Sequence, residues 1–149
     1  MSIVAEMRGR QRDLEEYEIS AWQTANGVEM KLRNLRKSSR WFNWSDDGFD
    51  AHIAVSVPKE YNLFLWTSGG DLKVKSVKGK VNGGTSGGNL ELNDITGAIE
   101  LETSGGDIRA NNIFGKLFME TSGGDIKISD VKGDVDVNTS GGNVVLSSI

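Results

Sequence analysis

The sequence predicts an all-β protein whose larger part is a parallel β-solenoid, a single-stranded β-helix with 18 residues per coil. Three observations predict it: Thr-Ser-Gly-Gly recurs five times at a constant spacing of 18, aliphatic residues alternate with polar ones between the copies, and 19 glycines accompany a single proline. A period without insertions requires each repeat to occupy the same space as its neighbours, as in a stacked solenoid. We expect one continuous domain, with an N-terminal antiparallel β cap over residues 1–66 and solenoid repeats over residues 67–149.

Composition excludes several classes of protein. The 149 residues carry 17 basic and 21 acidic side chains, a net charge of −4, so we expect no nucleic-acid partner. No apolar run approaches the ~20 residues of a membrane span, and the first six residues do not resemble a signal peptide. The absence of cysteine excludes disulfides and thiolate chemistry.

The N-terminal region alternates in the manner of strands without the 18-residue period. Residues 18–24 and 28–32 flank Asn26-Gly27, a pattern typical of an antiparallel hairpin, and residues 50–57 form another alternating stretch that ends at Pro58. An uncapped solenoid end exposes core and unpaired backbone. We therefore expect these strands to form the cap.

All four tryptophans precede the first Thr-Ser-Gly-Gly motif. Trp41 and Trp44 lie close together around Phe42-Asn43 and form a candidate glycan contact, because sugar rings stack on aromatic side chains. The alternative is that these rings pack inside the cap.

Each repeat contains two alternating runs separated by glycine corners, which indicates strands rather than helices. Glycine suits these corners because it tolerates positive φ and close backbone approach. A hexapeptide β-helix is excluded because its sixfold aliphatic spacing fails at Asp71, and a calcium-binding nonapeptide roll would need two glycine motifs per coil. The aliphatic positions, exemplified by one coil, are expected to point inward: Leu90, Leu92, Ile95, Ile99 and Leu101.

Stacking turns each position of the repeat into a ladder of residues one strand spacing apart. We expect the threonine ladder to lie inward or at the corner and to bond its stacked neighbours. The position after Gly-Gly holds aspartates with asparagines interspersed among them, which reduces repulsion between carboxylates and suits a structural turn ladder. That ladder comprises Asp71, Asn89, Asp107, Asp125 and Asn143.

Two features indicate contact surfaces. Phe114 and Phe118 occupy positions that are polar in the other coils, so we expect both to point outward as a candidate protein contact. Residues 143–149 stop halfway round the last coil without a capping sequence, so we expect an exposed edge that continues in a longer protein or pairs with another chain.

No constellation of catalytic or metal-ligating residues is predicted. His52 is the single histidine, and no nucleophile-elbow sequence accompanies it. The coils have the minimum length and carry no loops that could wall a cleft. We expect no enzymatic activity, no catalytic residue, no metal and no cofactor.

The stretch 55–63, followed by Thr-Ser-Gly-Gly-Asp units with an intervening glycine, resembles a bacterial adhesin-type domain family of unknown function. The likeness covers about residues 50–149 and implies a right-handed β-helix without catalytic residues. Members typically follow a signal peptide or membrane anchor, so the resemblance implies export to the periplasm or cell surface and suggests that this chain is an excerpt. We therefore expect a bacterial scaffold for adhesin-like interaction or self-association, with a glycan-binding module as the alternative.

Overall fold

The computed structural model describes residues 2–8, 17–24, 27–34, 50–67 and 69–149, and every element in them is a strand. The chain divides into two compact units, Met1–Ser56 and Val57–Ile149.

The N-terminal unit contains two antiparallel strand pairs. Strand β1 (Ser2–Arg8) pairs with β4 (Asp50–Ser56), and β2 (Tyr17–Thr24) pairs with β3 (Gly27–Asn34). The predicted hairpin and the predicted strand from residue 50 are thereby confirmed. The capping role of this unit stays a prediction.

The second unit is the solenoid. Its strands pair in parallel with partners 18 residues away, as in Leu90 with Ile108, and this pairing confirms the predicted fold class. The unit begins at Val57, whereas the sequence pattern placed the boundary at residue 66, because β5 joins the parallel sheet beside β7. The strands are β5 (Leu63–Thr67), β6 (Leu72–Lys78), β7 (Val81–Thr85), β8 (Leu90–Thr103), β9 (Ile108–Thr121), β10 (Ile126–Lys132), β11 (Val135–Thr139) and β12 (Val144–Ser147).

Each coil has a first run, which follows the Ser-Gly-Gly corner, and a second run, which follows the next glycine. β6, β10, β12 and the N-terminal halves of β8 and β9 are first runs. β5, β7, β11 and the C-terminal halves of β8 and β9 are second runs. Within the part of the chain that the structure describes, no helix is both long and apolar enough to cross a membrane.

Two backbone features bend each coil. Leu92 and Ile95 both point inward although they are three residues apart, which strict strand alternation would not allow. Asp94 lies between them with a φ of 58°, and this bulge accommodates the one residue in excess of the alternation. Gly97 has a φ of 145°, and a Cβ there would overlap the carbonyl oxygen of Gly79 in the previous coil. Glycine is therefore required at this corner for both conformation and space.

The inward residues of both runs form one core. Burying an aliphatic side chain of this size stabilises the fold by roughly 1.5–3 kcal/mol. The fully buried aliphatic residues include Leu90, Leu92, Ile95, Leu101, Ile108, Ile113, Leu117, Ile126 and Ile128.

Candidate functional site

The aspartate and asparagine ladder lies along the Ser-Gly-Gly corner. The side-chain Oδ1 of each of the first four residues accepts a hydrogen bond from the backbone N–H of the corresponding residue in the next coil. These bonds measure 2.8 Å from Asn89 to Asp71 and from Asp107 to Asn89, 3.0 Å from Asp125 to Asp107, and 2.8 Å from Asn143 to Asp125. The side chains thus join successive corners. Among the described residues, no group of three or more His, Cys, Asp or Glu side chains is arranged to hold a metal ion.

The threonine ladder lies just inside the same corner. Thr103 Oγ1 donates to the carbonyl oxygen of Gly88 at 2.8 Å and accepts from the N–H of Gly106 at 3.4 Å. Thr121 repeats this arrangement one coil later and is fully buried. Each of these hydroxyls therefore links its own corner to the corner of the previous coil. The inward position at the corner agrees with the prediction, but the bonding partners are glycine backbone groups and not the stacked threonines.

The two predicted contact phenylalanines are both exposed. Phe114 lies in a first run, where the Nζ of Lys132 is 5.4 Å from its ring centroid. Phe118 lies in a second run, in register with Glu100 and Asp136. The corner at Gly115 lies between them in the chain, so the two rings belong to different ladders with different chemical neighbours.

A second aromatic pair was not singled out by the sequence reasoning. Phe64 and Trp66 on β5 are 71% and 57% exposed, with ring centroids 6.1 Å apart and planes tilted by 55°. The available signal was register, because residues 64 and 66 precede the outward positions Asn82 and Gly84 by 18. A Cβ on Gly84 would lie 3.1 Å from Cζ3 of Trp66, so the missing side chain leaves room for the indole ring.

The outward positions of the two runs carry different charges. The four first runs 72–78, 90–96, 108–114 and 126–132 contain six basic and three acidic residues, a net charge of +3. The four second runs 81–85, 98–103, 116–121 and 135–139 contain one basic and four acidic residues, a net charge of −3. Both runs point alternate residues into one core, so the charges lie on its two outer sides.

Ion pairs shift the pKa values of Glu60, Lys78 and Glu91. Lys73 Nζ lies 3.1 Å from a carboxylate oxygen of Glu91, and Lys75 Nζ lies 3.7 Å from the other. The hydrogen bond from Lys73 is the largest cause that lowers the pKa of Glu91. The 2.7 Å contact between Lys78 and Glu60 lowers the pKa of Glu60 and raises that of Lys78, chiefly through the same hydrogen bond.

The C-terminal end of the column is uncovered in the described structure. β12 pairs with β10, and no other described strand pairs with it. Val144 and Leu146 continue the ladders of Ile126 and Ile128, which are completely buried. Val144 and Leu146 are nevertheless 44% and 46% exposed. Core-type side chains and one edge of a parallel strand therefore face outward together.

The candidate glycan contact, Trp41 and Trp44, lies outside the described residues. Glycan binding through these two side chains stays a prediction.

Comparison with known protein families matches residues 3–149 to the family described as Toastrack DUF4097, a domain of unknown function. No curated protein and no solved structure matches the chain. The family match spans nearly the whole chain, including the part that forms the stacked 18-residue coils. The protein therefore belongs to the Toastrack DUF4097 family.

Proposed function

We propose that this protein is a non-enzymatic β-solenoid scaffold of the bacterial periplasm or cell surface, which binds a protein partner or a second copy through the open end of the column. This role is adhesin-like in the sense that the protein acts by binding through a rigid surface and not by catalysing a reaction. The observation that supports it is the exposure of Val144 and Leu146 at ladder positions that are buried elsewhere.

The open end has the chemistry of a strand-addition surface. An unpaired strand edge presents N–H and C=O groups in a row, and another strand can bond to them while its side chains enter adjacent pockets. Many proteins protect such edges with lysine, proline or a bulge. β12, with the sequence Val-Val-Leu-Ser, contains neither a charged residue nor a proline.

The polar ladders support a structural role for the residues most able to do chemistry. Asp71, Asp107 and Asp125 each accept a backbone N–H of the next coil. In the described residues, no buried side-chain nitrogen or oxygen atom lacks a hydrogen-bond partner.

Light scattering over a concentration series tests the open end. We expect reversible association of the chain, weakened at least about tenfold by Val144→Lys with Leu146→Lys, because the two ammonium groups would have to be buried in the contact. Val145→Lys is the matched control, since Val145 is an outward residue that follows the ladder of Arg109 and Lys127. A chain that stays monomeric at every concentration would overturn self-association through this end.

The two phenylalanines can be tested separately. Phe118 lies in a second run beside Glu100 and Asp136, whereas Phe114 lies in a first run. If the chain associates through the side that carries Phe118, Phe118→Ser weakens association and Phe114→Ser does not. Equal association of both variants and the native chain would remove the phenylalanines as contact residues.

Protease accessibility in intact cells and in spheroplasts tests the location. A surface protein is degraded in intact cells and a periplasmic protein once the outer envelope has been opened, whereas a cytoplasmic protein stays protected until the spheroplasts are lysed. Protection in spheroplasts until lysis would contradict the proposed export.

A further inference from the structure

The outer side of the second runs combines exposed aromatic rings with carboxylates. Glu102 and Glu120 are neighbours in one ladder, and no ion pair joins either of them to another described residue. We define the acidic face by its residues: Phe64, Trp66, Glu100, Glu102, Phe118, Glu120 and Asp136.

The outer side of the first runs is basic and also exposed. Arg109 and Lys127 are neighbours in one ladder, and like charges side by side are unfavourable unless an external group compensates them. Only Arg109 of this pair has an acidic partner among the described residues, Asp107 at 3.0 Å. We define the basic face by its residues: Lys73, Lys75, Lys78, Arg109, Lys127 and Lys132.

We infer that the acidic face of one copy docks on the basic face of a second copy, side by side, as an interface distinct from the open end. The second runs, which carry the acidic face, have a net charge of −3 and the first runs, which carry the basic face, have a net charge of +3, so each face complements the other. Both are built on the same coils and share a strand spacing of about 4.8 Å. A charge contact made at one coil can therefore recur at the next.

The aromatic rings strengthen this pairing. A lysine or arginine over an aromatic face is attracted by the ring quadrupole, and the contact is stronger when water is excluded. The molecule already contains such a contact between Lys132 and Phe114. Phe64 and Trp66 offer the same surface on the acidic face with no cation–π partner among the described residues.

The interface is heterologous, because different surfaces of the two copies meet. Such contacts form rings when the rotation closes and filaments when it does not. The association is driven by charge, so added salt weakens it. At 0.1 M salt, exposed charges are largely screened beyond a Debye length of about 10 Å. Apolar association through the open end has no such salt dependence, so the two interfaces can be told apart.

Charge reversal with complementation tests the inference. One variant carries Glu102→Lys and Glu120→Lys on the acidic face, and the other carries Lys127→Glu and Lys132→Glu on the basic face. At low salt, sedimentation velocity is expected to show association of the native chain, at least about tenfold weaker association of each variant alone, and restored association in their mixture. Far-UV circular dichroism and thermal unfolding establish that each variant is folded.

A matched control separates the faces from net charge. Asp94→Asn with Asp130→Asn removes two negative charges from the side that carries the basic face, at ladder positions where Asn112 already stands with the same φ near 55°. Glu102→Gln with Glu120→Gln removes the same charge from the acidic face. We expect the first pair to maintain or strengthen association and the second to weaken it. Equal effects of the two pairs, no rescue in the mixture, or a native chain that does not associate at low salt would overturn the inference.

Discussion

The middle of the column and its open end have the same sequence pattern and different environments. Leu92 and Leu146 are the same residue type in the same ladder, separated by Ala110 and Ile128. Leu92 is 1% exposed and Leu146 is 46% exposed. The repeat therefore decides which way a side chain points, whereas the neighbouring coil decides whether it is buried.

The polar ladders show the same contrast. Thr121 is completely buried between two coils, and its hydroxyl bonds the backbone of the previous corner at Gly106 and of its own corner at Gly124. Thr139 makes the equivalent bonds to Gly124 and Gly142 but is only partly buried. A hydrogen bond of similar geometry is accessible to water at the end and protected in the middle, so its loss has different costs.

The largest expected effect comes from removing the same side chain in the two places. Leu92→Ala is expected to lower the free energy of unfolding by about 4 kcal/mol, because it leaves a cavity among coils that cannot collapse. Leu146→Ala is expected to cost less than about 1 kcal/mol, since its side chain is already half exposed. Urea unfolding followed by far-UV circular dichroism measures both, and equal losses would contradict the contrast between middle and end.

The second effect tests the glycine corner. A Cβ on Gly106 would overlap the carbonyl oxygen of Gly88, whereas a Cβ on Gly105 meets nothing within 4 Å. Gly106→Ala is therefore expected to cost about 3 kcal/mol and Gly105→Ala close to nothing.

At the end of the column, Gly142→Ala creates the same overlap with Gly124 as Gly106→Ala does with Gly88. It is expected to cost less than Gly106→Ala, because no described coil lies beyond the last corner to prevent a shift. Thermal unfolding of the three variants gives the order. A Gly105→Ala variant as unstable as Gly106→Ala would show that the corner is sensitive for some reason other than close backbone approach.

A smaller effect is expected for the buried hydroxyls. Thr121→Val retains the shape of the side chain but leaves the Gly106 carbonyl and the Gly124 N–H without the hydroxyl partner, so it is expected to cost about 2 kcal/mol. Thr139→Val is expected to cost less, because water can reach the partly buried groups. Amide hydrogen exchange at Gly124 should accelerate in Thr121→Val, and unchanged exchange would contradict the role of the hydroxyl.

The smallest effect is expected for a surface ion pair, Lys73 with Glu91, because neither side chain is buried. The pKa of Glu91 is lowered from 4.5, first by the hydrogen bond from Lys73, so the folded state favours the ionised carboxylate. Its contribution to stability is present above about pH 4.5 and is lost as the pH falls through the lowered pKa. Glu91→Gln should therefore reduce the loss of stability that the native chain shows on acidification below pH 4.5.

Urea midpoints at neutral pH and at acidic pH measure this linkage. Asp94→Asn serves as the control, because Asn112 occupies the equivalent position in the next coil. Identical acid sensitivity of Glu91→Gln and the native chain would remove this ion pair as a source of pH dependence.

The fold could be predicted because its main signal is local and repeated. Residues Leu90 and Ile108 were expected to stack from their 18-residue separation, and they do. The additional residue at Asp94 was visible as two polar positions between inward residues, but its positive φ was not. The sequence pattern starts the repeats at residue 67, whereas the second unit starts at Val57, because the first coil lacks the motif and its place in the sheet depends on the pairing of β5 with β7 and of Glu60 with Lys78.

The candidate sites were less predictable. The outward position of Phe114 and Phe118 followed from comparison with polar residues in other coils, but their separation by a corner did not. The sequence pattern predicts that Phe64 and Trp66 lie in the cap region, whereas their register with Asn82 and Gly84 places them on the outer side of the solenoid. The opposite charges of the two outer sides are scattered along the sequence and become faces only when the coils stack.

The sequence by itself determined the period, the parallel register, the inward and outward positions and the need for glycine at the corners, because these depend on spacing along the chain. The tertiary structure decided which inward residues are buried, which carbonyl each threonine binds, and which charges share a side. Those properties depend on the coil stacked above and below, and Leu92 and Leu146 have the same place in the repeat but different neighbours.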